Sequence, residues 1–195
     1  MKKKLVLSMV LIFACFFLVP GAAWLNQHIS GGYGVKLNQP SLDFDWQDVA
    51  GQWHRFSDWQ QGPSYVFLGF LNCSQICPVR LGQMFRFEQH LSKEWRGEAL
   101  PVRFLFITVD PQNDSPALRN KIIDSQSSAF YSAQLPQQQL RQLQQRLVEQ
   151  VSTQQGTIKH AGNLYLFSAD ARLQRVYGQW QLSLEQMQND LNLLL

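Results

Sequence analysis

Two cysteines, Cys73 and Cys77, stand in the stretch Asn72-Cys73-Ser74-Gln75-Ile76-Cys77-Pro78, directly after the apolar run Tyr65 to Phe70. The run reads as a buried strand and Pro78 suits the first position of a helix, so the thiols sit where a strand hands over to a helix. At a spacing of four on a first helical turn, two sulfurs face the same way, close enough to form a disulfide or to grip one soft metal ion. Redox exchange, a structural bridge and metal binding are therefore all open. Redox exchange needs a nucleophilic thiolate, which a helix N-terminus favours by lowering the thiol pKa. Its usual signature, C-x-x-C, is one residue shorter than the spacing here. A structural disulfide gains most by closing a long loop in the unfolded chain, and a Cys73 to Cys77 bridge closes almost none.

A metal site needs a further ligand, and His160 in Thr157-Ile158-Lys159-His160-Ala161-Gly162 is the candidate. Two thiolates with an imidazole suit copper, because thiolates select Cu(I) while imidazole with an open position admits Cu(II). Zinc would accept the same set with water as a fourth ligand. The other histidines carry less. His28 lies in a polar connector, His54 in an N-terminal hairpin and His90 on the polar side of a helix, where solvated or packing roles are the default. Asp110 and Asp114 flank a proline-containing turn, Asp110-Pro111-Gln112-Asn113-Asp114-Ser115-Pro116. Asp114 reads first as a helix N-cap and second as an outer partner of a metal site.

The elements that must position these groups are legible from the chain. Lys2, Lys3 and Lys4 precede the apolar run Leu5 to Val19, which continues past Pro20 to Trp24 and Leu25. Residues 1–25 read as an uncleaved membrane anchor or signal segment, with the lysines cytoplasmic and everything after residue 25 on the periplasmic or outer side of the cytoplasmic membrane. Cys15 falls inside this run and reads as a small hydrophobe of the membrane segment. The exported part then holds just the Cys73 and Cys77 pair, which an oxidising compartment would oxidise unless a reductant or a metal intervenes. The chain has 195 residues and carries 17 basic against 14 acidic side chains. The three N-terminal lysines account for the whole excess, so no basic face is demanded and nucleic acid is not an expected partner.

Residues 26–40 read as a glycine-bearing linker, and the domain runs over 41–195. Leu42, Phe44 and Trp46 alternate with Asp43 and Asp45, and with Gln52 to Phe56 they predict an N-terminal hairpin across a turn at Asp48 to Gly51. The strand Tyr65 to Phe70 leads to a helix from Pro78 with Leu81, Met84, Phe85, Leu91 and Trp95 at helical spacing. Val102 to Val109 predicts a second buried strand, and a short helix follows from Pro116 to Ser125. After Pro136, Leu140, Leu143, Leu147, Val148 and Val151 keep a helical stripe through a glutamine-rich stretch. Leu164 to Phe167 and Leu173 to Tyr177 form a hairpin. A final helix begins at Ser183, with Gln186 completing a capping box. This order predicts an α/β thioredoxin-like fold with an N-terminal β-hairpin and an inserted helix, preceded by a membrane anchor, and it puts the cysteines beyond the carboxyl ends of parallel strands. Thioredoxin-like oxidoreductases place a proline just before the strand that faces the motif. This chain has no proline after Pro136, and the corresponding stretch holds His160.

These residues resemble the Sco/SenC family of copper-binding, thioredoxin-like cytochrome c oxidase assembly proteins. The likeness runs from Leu42 onward. It rests on Cys73-x-x-x-Cys77-Pro78 after the strand ending at Phe70, on Thr108-Val109-Asp110-Pro111-Gln112-Asn113-Asp114-Ser115, and on His160 ahead of Leu164-Tyr165-Leu166-Phe167 with its Asp170 turn. The resemblance implies one copper ion, Cu(I) or Cu(II), held by Cys73, Cys77 and His160, and a Cys73–Cys77 disulfide when the pair is oxidised. It further implies a metallochaperone rather than an enzyme, with a cytochrome c oxidase subunit and a copper donor protein as partners. The alternative is a thiol-disulfide oxidoreductase that reduces the cysteine ligands of the oxidase copper site. Ser74 stands where the family usually has proline, and Lys159 where it usually has aspartate. Neither change removes a ligand, and strand alternation would turn Lys159 away from His160.

Overall fold

The computed structural model describes residues 33–37, 40–96, 99–149, 151–154 and 157–195, with 151–154 and 157–160 described by their backbone. The expected anchor at 1–25, Cys15 and most of the linker lie outside the described residues. Among the described residues no helix is long and apolar enough to cross a membrane.

A central strand buried on both faces organises the domain. Strand β4 (Ser64–Gly69) has all six residues buried, as its near-continuous apolar sequence requires. It pairs in parallel with β5 (Arg103–Thr108), which pairs in parallel with β6 (Phe130–Ala133). On its other side β4 runs antiparallel to β9 (Leu164–Phe167), which forms a hairpin with β10 (Leu173–Tyr177). The edge strand β1 (Val35–Lys36) completes the order β1-β10-β9-β4-β5-β6. Parallel strands joined by helices, followed by an antiparallel hairpin, are the thioredoxin-like arrangement predicted from the sequence.

Alternation along the strands divides the interior into two cores. Tyr65, Phe67, Phe104, Phe106, Leu164 and Leu166 point to one face and meet helix α2 (Ile76–Glu94) through Cys77, Leu81, Met84, Phe87 and Leu91. Helix α5 (Leu184–Asn192) adds Met187 and Leu191 to the same core. Val66, Leu68, Leu105, Ile107, Tyr165 and Phe167 point to the opposite face. There they meet the hairpin β2 (Asp45–Gln47) and β3 (Trp53–Arg55), the single-turn helix α1 (Phe56–Trp59), and helix α4 (Gln137–Arg146). Each fully buried large side chain contributes on the order of 1.5–3 kcal/mol, so both layers are held strongly to the sheet.

Several elements differ in detail from the expectation. Helix α2 starts at Ile76, and Pro78 takes its third position. Proline is tolerated throughout the first turn because those N–H groups have no helical acceptor. Phe56 opens a helical turn instead of ending the hairpin strand. Strand β6 was not evident from the sequence. The stripe after Pro136 ends with α4 and Leu147, since Val148 has a left-handed φ of 53° and Val151 begins strand β7 (Val151–Gln154). That strand pairs antiparallel with β8 (Thr157–His160), so the segment bearing His160 is the second arm of a hairpin. The predicted helix after Pro116 is present as α3 (Pro116–Arg119) continued by a π-helical turn, Asn120–Asp124. Ser183 caps α5, its Oγ accepting from the Gln186 N–H at 3.4 Å.

Candidate functional site

Strands β4 and β5 end side by side at Gly69 and Thr108, and the loops that leave them are tied by one carboxylate. Asp114 is fully buried and accepts from the Leu71 N–H at 3.0 Å and from the Thr108 hydroxyl at 2.6 Å. Thr108 Oγ in turn accepts from the Asp110 N–H at 3.1 Å. Asp114 is thus not the N-cap of α3. That role falls to Ser115, whose side chain accepts from the Leu118 N–H. Burial, reinforced by Asp110, raises the Asp114 carboxyl above its ordinary value, although the Thr108, Leu71 and Arg119 interactions oppose the rise. The carboxylate fixes the start of the segment that carries the cysteines.

From Leu71 the chain turns, with the Cys73 N–H approaching the Phe70 carbonyl at 3.4 Å, and enters α2 at Ile76. Cys73 therefore precedes the helix, and Cys77 is its second residue. Cys77 is 1% exposed and belongs to the core beneath the sheet, while Cys73 is half-buried. Both are thiols, and their side chains are in hydrogen-bonding contact. The helix N-terminus does not prevail at Cys77. Burial drives its thiol far above the ordinary value, the neighbouring Cys73 and Asp114 push the same way, and a backbone hydrogen bond at Phe70 only partly opposes them. A buried, protonated sulfur of this kind is a weak nucleophile, but a soft cation can replace its proton.

The His160 segment is brought to this turn by backbone. Gly162, two residues on, has a φ of 69°, and a Cβ there would lie 2.5 Å from Ile76 Cγ1. Ile76 stands between the two cysteines in sequence, so Gly162 touches the cysteine turn itself. Two residues of chain span at most about 7 Å, which bounds the separation of the His160 and Gly162 backbones. In β8, Lys159 and His160 pair with Ser152 and Val151. Among the described residues, no three His, Cys, Asp or Glu side chains form a metal-holding group; the His160 side chain lies outside them.

The remaining candidates have ordinary partners. His54 Nε2 lies 2.8 Å from Asp48 Oδ2, and its ring stacks on Trp46 at 4.5 Å. His90 Nε2 meets Gln188 Oε1 at 2.7 Å, and His28 lies outside the described residues. Sequence reasoning missed Arg80, Gln83 and Glu149, buried polar residues of which Arg80 and Glu149 bond Gly162 and Gln83 bonds Arg80. A signal existed for the first. Arg80 follows Cys77 by three and precedes Met84 by four, which puts a charge on the apolar face of α2.

A family model described as SCO1/SenC matches residues 36–195. A protein of Stutzerimonas stutzeri named for copper binding is 27% identical over 142 residues, covering 70% of this chain. The match spans 63% of that relative, just under two thirds of its length. The structure of Bradyrhizobium japonicum ScoI with copper bound superposes with a TM-score of 0.66 at 20% identity, covering 80% of this chain and 100% of that one. BsSco, described as a member of the Sco family of cytochrome c oxidase assembly proteins with a disulfide switch, gives a TM-score of 0.68 at 19% identity, covering 83% of this chain and 96% of that one. At these identities the structural likenesses establish the fold.

Proposed function

The chain belongs to the SCO1/SenC family, and from that membership we propose that it is a copper metallochaperone of cytochrome c oxidase assembly, with Cys73, Cys77 and His160 holding one copper ion as cargo. The observation that carries this reading is the contact of Gly162 with Ile76, which draws the histidine-bearing hairpin to the cysteine turn. The donor set fits the cargo. Two sulfurs in contact, one in the core and one at the rim, offer soft ligands that favour Cu(I), and an imidazole widens the range to Cu(II). The copper-named relative and the copper-bound structural neighbour support the same cargo. BsSco supports the oxidase as destination.

In this proposal residues 1–25 anchor the protein in the cytoplasmic membrane, the stretch after them links, and the domain, which takes in strand β1 at Val35–Lys36 ahead of the boundary expected at residue 41, works on the periplasmic or outer side. A copper donor protein fills the site and an oxidase subunit receives the ion. The test is copper stoichiometry of the purified, reduced full-length chain. One copper per chain is expected, with a loss of affinity of about tenfold or more, ~1.4 kcal/mol, on Cys73→Ala, Cys77→Ala or His160→Ala. Undiminished retention by His160→Ala would eliminate the three-ligand site.

A second reading rests on the thiol contact and on the asymmetry of the pair. Cys73, being half-buried, is the sulfur a disulfide-bonded partner could reach, with Cys77 as resolving thiol. Disulfide reduction by the His160→Ala protein at the wild-type rate would favour this oxidoreductase over the metallochaperone.

A further inference from the structure

The peptide groups of Gly162 are gripped from two sides by buried charged side chains. Its carbonyl accepts from Arg80 Nε at 2.9 Å, and its N–H donates to Glu149 Oε1 at 3.2 Å. Arg80 is fully buried, one turn beyond Cys77 on the same face of α2. The rest of its guanidinium donates to Gln83 Oε1 at 2.7 Å and to the Gln179 carbonyl at 3.1 Å. Gln83 Nε2 continues the chain of bonds to the Trp180 carbonyl at 2.7 Å. The second Glu149 oxygen accepts from the Tyr165 hydroxyl and, at 3.3 Å, from the Asn163 side-chain amide.

Burying a charge of each sign is costly, and an apolar residue at position 80 would cover the sheet without that cost. What the charges achieve is specific. Together they fix both hydrogen-bonding groups of one glycine, and that glycine is pressed on Ile76 between the cysteines and lies two residues from His160. Neither side chain takes part in the proposed ligand set. Both hold the backbone that delivers its distal member to the turn and helix that deliver the thiols.

We infer that Arg80 and Glu149 are positioning residues for the copper site, a two-sided clamp on Gly162 that sets the approach of His160 to Cys73 and Cys77. The inference rests on the reading of His160 as a ligand. Groups that orient metal ligands typically contribute about 10–100-fold in metal affinity, and the clamp is expected in that range. It acts through His160, so its effect disappears when His160 is absent.

The experiment is a competition titration of the reduced full-length chain with Cu(I) against a chromogenic Cu(I) chelator. The proteins are wild type, Arg80→Met, Arg80→Lys, Glu149→Gln, His160→Ala and the double variant Arg80→Met/His160→Ala. Arg80→Met is expected to weaken Cu(I) binding by about tenfold or more, approaching His160→Ala. Arg80→Lys keeps a donor for the Gly162 carbonyl and recovers part of the loss. The double variant binds no more weakly than His160→Ala alone. In the copper-free proteins, amide hydrogen exchange at Gly162 accelerates on Arg80→Met and Glu149→Gln, while β4 and β5 keep their protection. Should Arg80→Met fail to fold, Glu149→Gln carries the same test, with a loss that vanishes in the His160→Ala background. Full additivity of the Arg80 and His160 losses, or wild-type Cu(I) affinity alongside accelerated exchange at Gly162, overturns the clamp alone. Wild-type affinity in His160→Ala overturns the ligand reading beneath it.

Discussion

Replacing Gly162 by alanine strikes the contact of the backbone just after the histidine strand with the Ile76 side chain in the cysteine turn. Two separate costs follow from the geometry. The residue has a φ of 69°, and an L side chain in that left-handed region costs roughly 1–2 kcal/mol. The added methyl would also lie 2.5 Å from Ile76 Cγ1 and 2.9 Å from Cγ2, and such overpacking typically costs about 1–3 kcal/mol. Urea denaturation of the reduced, copper-free protein should therefore show a loss of about 2–5 kcal/mol, the sum of the two ranges. The parts can be separated, because Ile76→Ala removes the obstructing atoms and leaves φ unchanged. In a double-mutant cycle Ile76→Ala should return about 1–3 kcal/mol of the Gly162→Ala loss, leaving the left-handed strain behind. Copper affinity should fall with the single variant and recover with the double one. A loss below about 0.5 kcal/mol, the scale of an ordinary surface substitution, would refute the contact, as would strict additivity with Ile76→Ala.

The remaining predictions concern protons, the loop tie and the N-terminus. In the proposed site copper would displace the proton that burial holds on Cys77, so between pH 6 and 8 affinity should rise about tenfold per pH unit from this thiol alone; a flat profile in chelator competition would contradict it. The Asp114 carboxyl has a folded-state pKa above its unfolded value of 3.8, so its contribution to stability is complete below 3.8 and lost as pH rises through the folded value. Asp114→Asn should flatten that limb of the stability profile in urea titrations, whereas an unchanged slope would assign it elsewhere. Asp114→Ala leaves the Leu71 N–H and the Thr108 hydroxyl without their acceptor, at about 1–3 kcal/mol each, so equilibrium unfolding should show one of the larger losses in the domain, and a neutral result would refute the tie. Fractionation of cells expressing the full chain should leave it in carbonate-washed membranes, and protease added to spheroplasts should digest the domain; protection would reverse the proposed orientation.

What could be read in advance was what repeats. The alternation of Leu42, Phe44 and Trp46 and the helical spacing of Leu81, Met84 and Leu91 each bury one face, the continuous run of β4 buries two, and the structure buries those faces. Strand β6 escaped because Phe130-Tyr131-Ser132-Ala133 is short and mixed, and its place is set by pairing with β5. The end of α4 escaped because the leucine spacing continues to Val148 in sequence while the backbone turns left-handed there. At the site, the cysteine turn and the histidine segment were legible as chemistry in the right order. Arg80, Glu149 and the true role of Asp114 were not, since each acts on a peptide group far away in sequence: 82 residues for Arg80 and Gly162, 43 for Asp114 and Leu71. Periodicity records which face a side chain covers, and it is silent about which distant backbone a polar group holds.

Cys77 is counted among the side chains that fill the core, while Cys73 reaches the rim. This gives any hand-over an order of events. In the proposed metallochaperone an incoming ligand would meet the pair from the Cys73 side, because Cys77 belongs to the core cluster that includes Phe67, Phe70 and Leu81 and keeps α2 on the sheet. Release under that proposal would be graded by depth: the shallow sulfur would exchange first, and the deep one would retain the ion until the receiver had already engaged it.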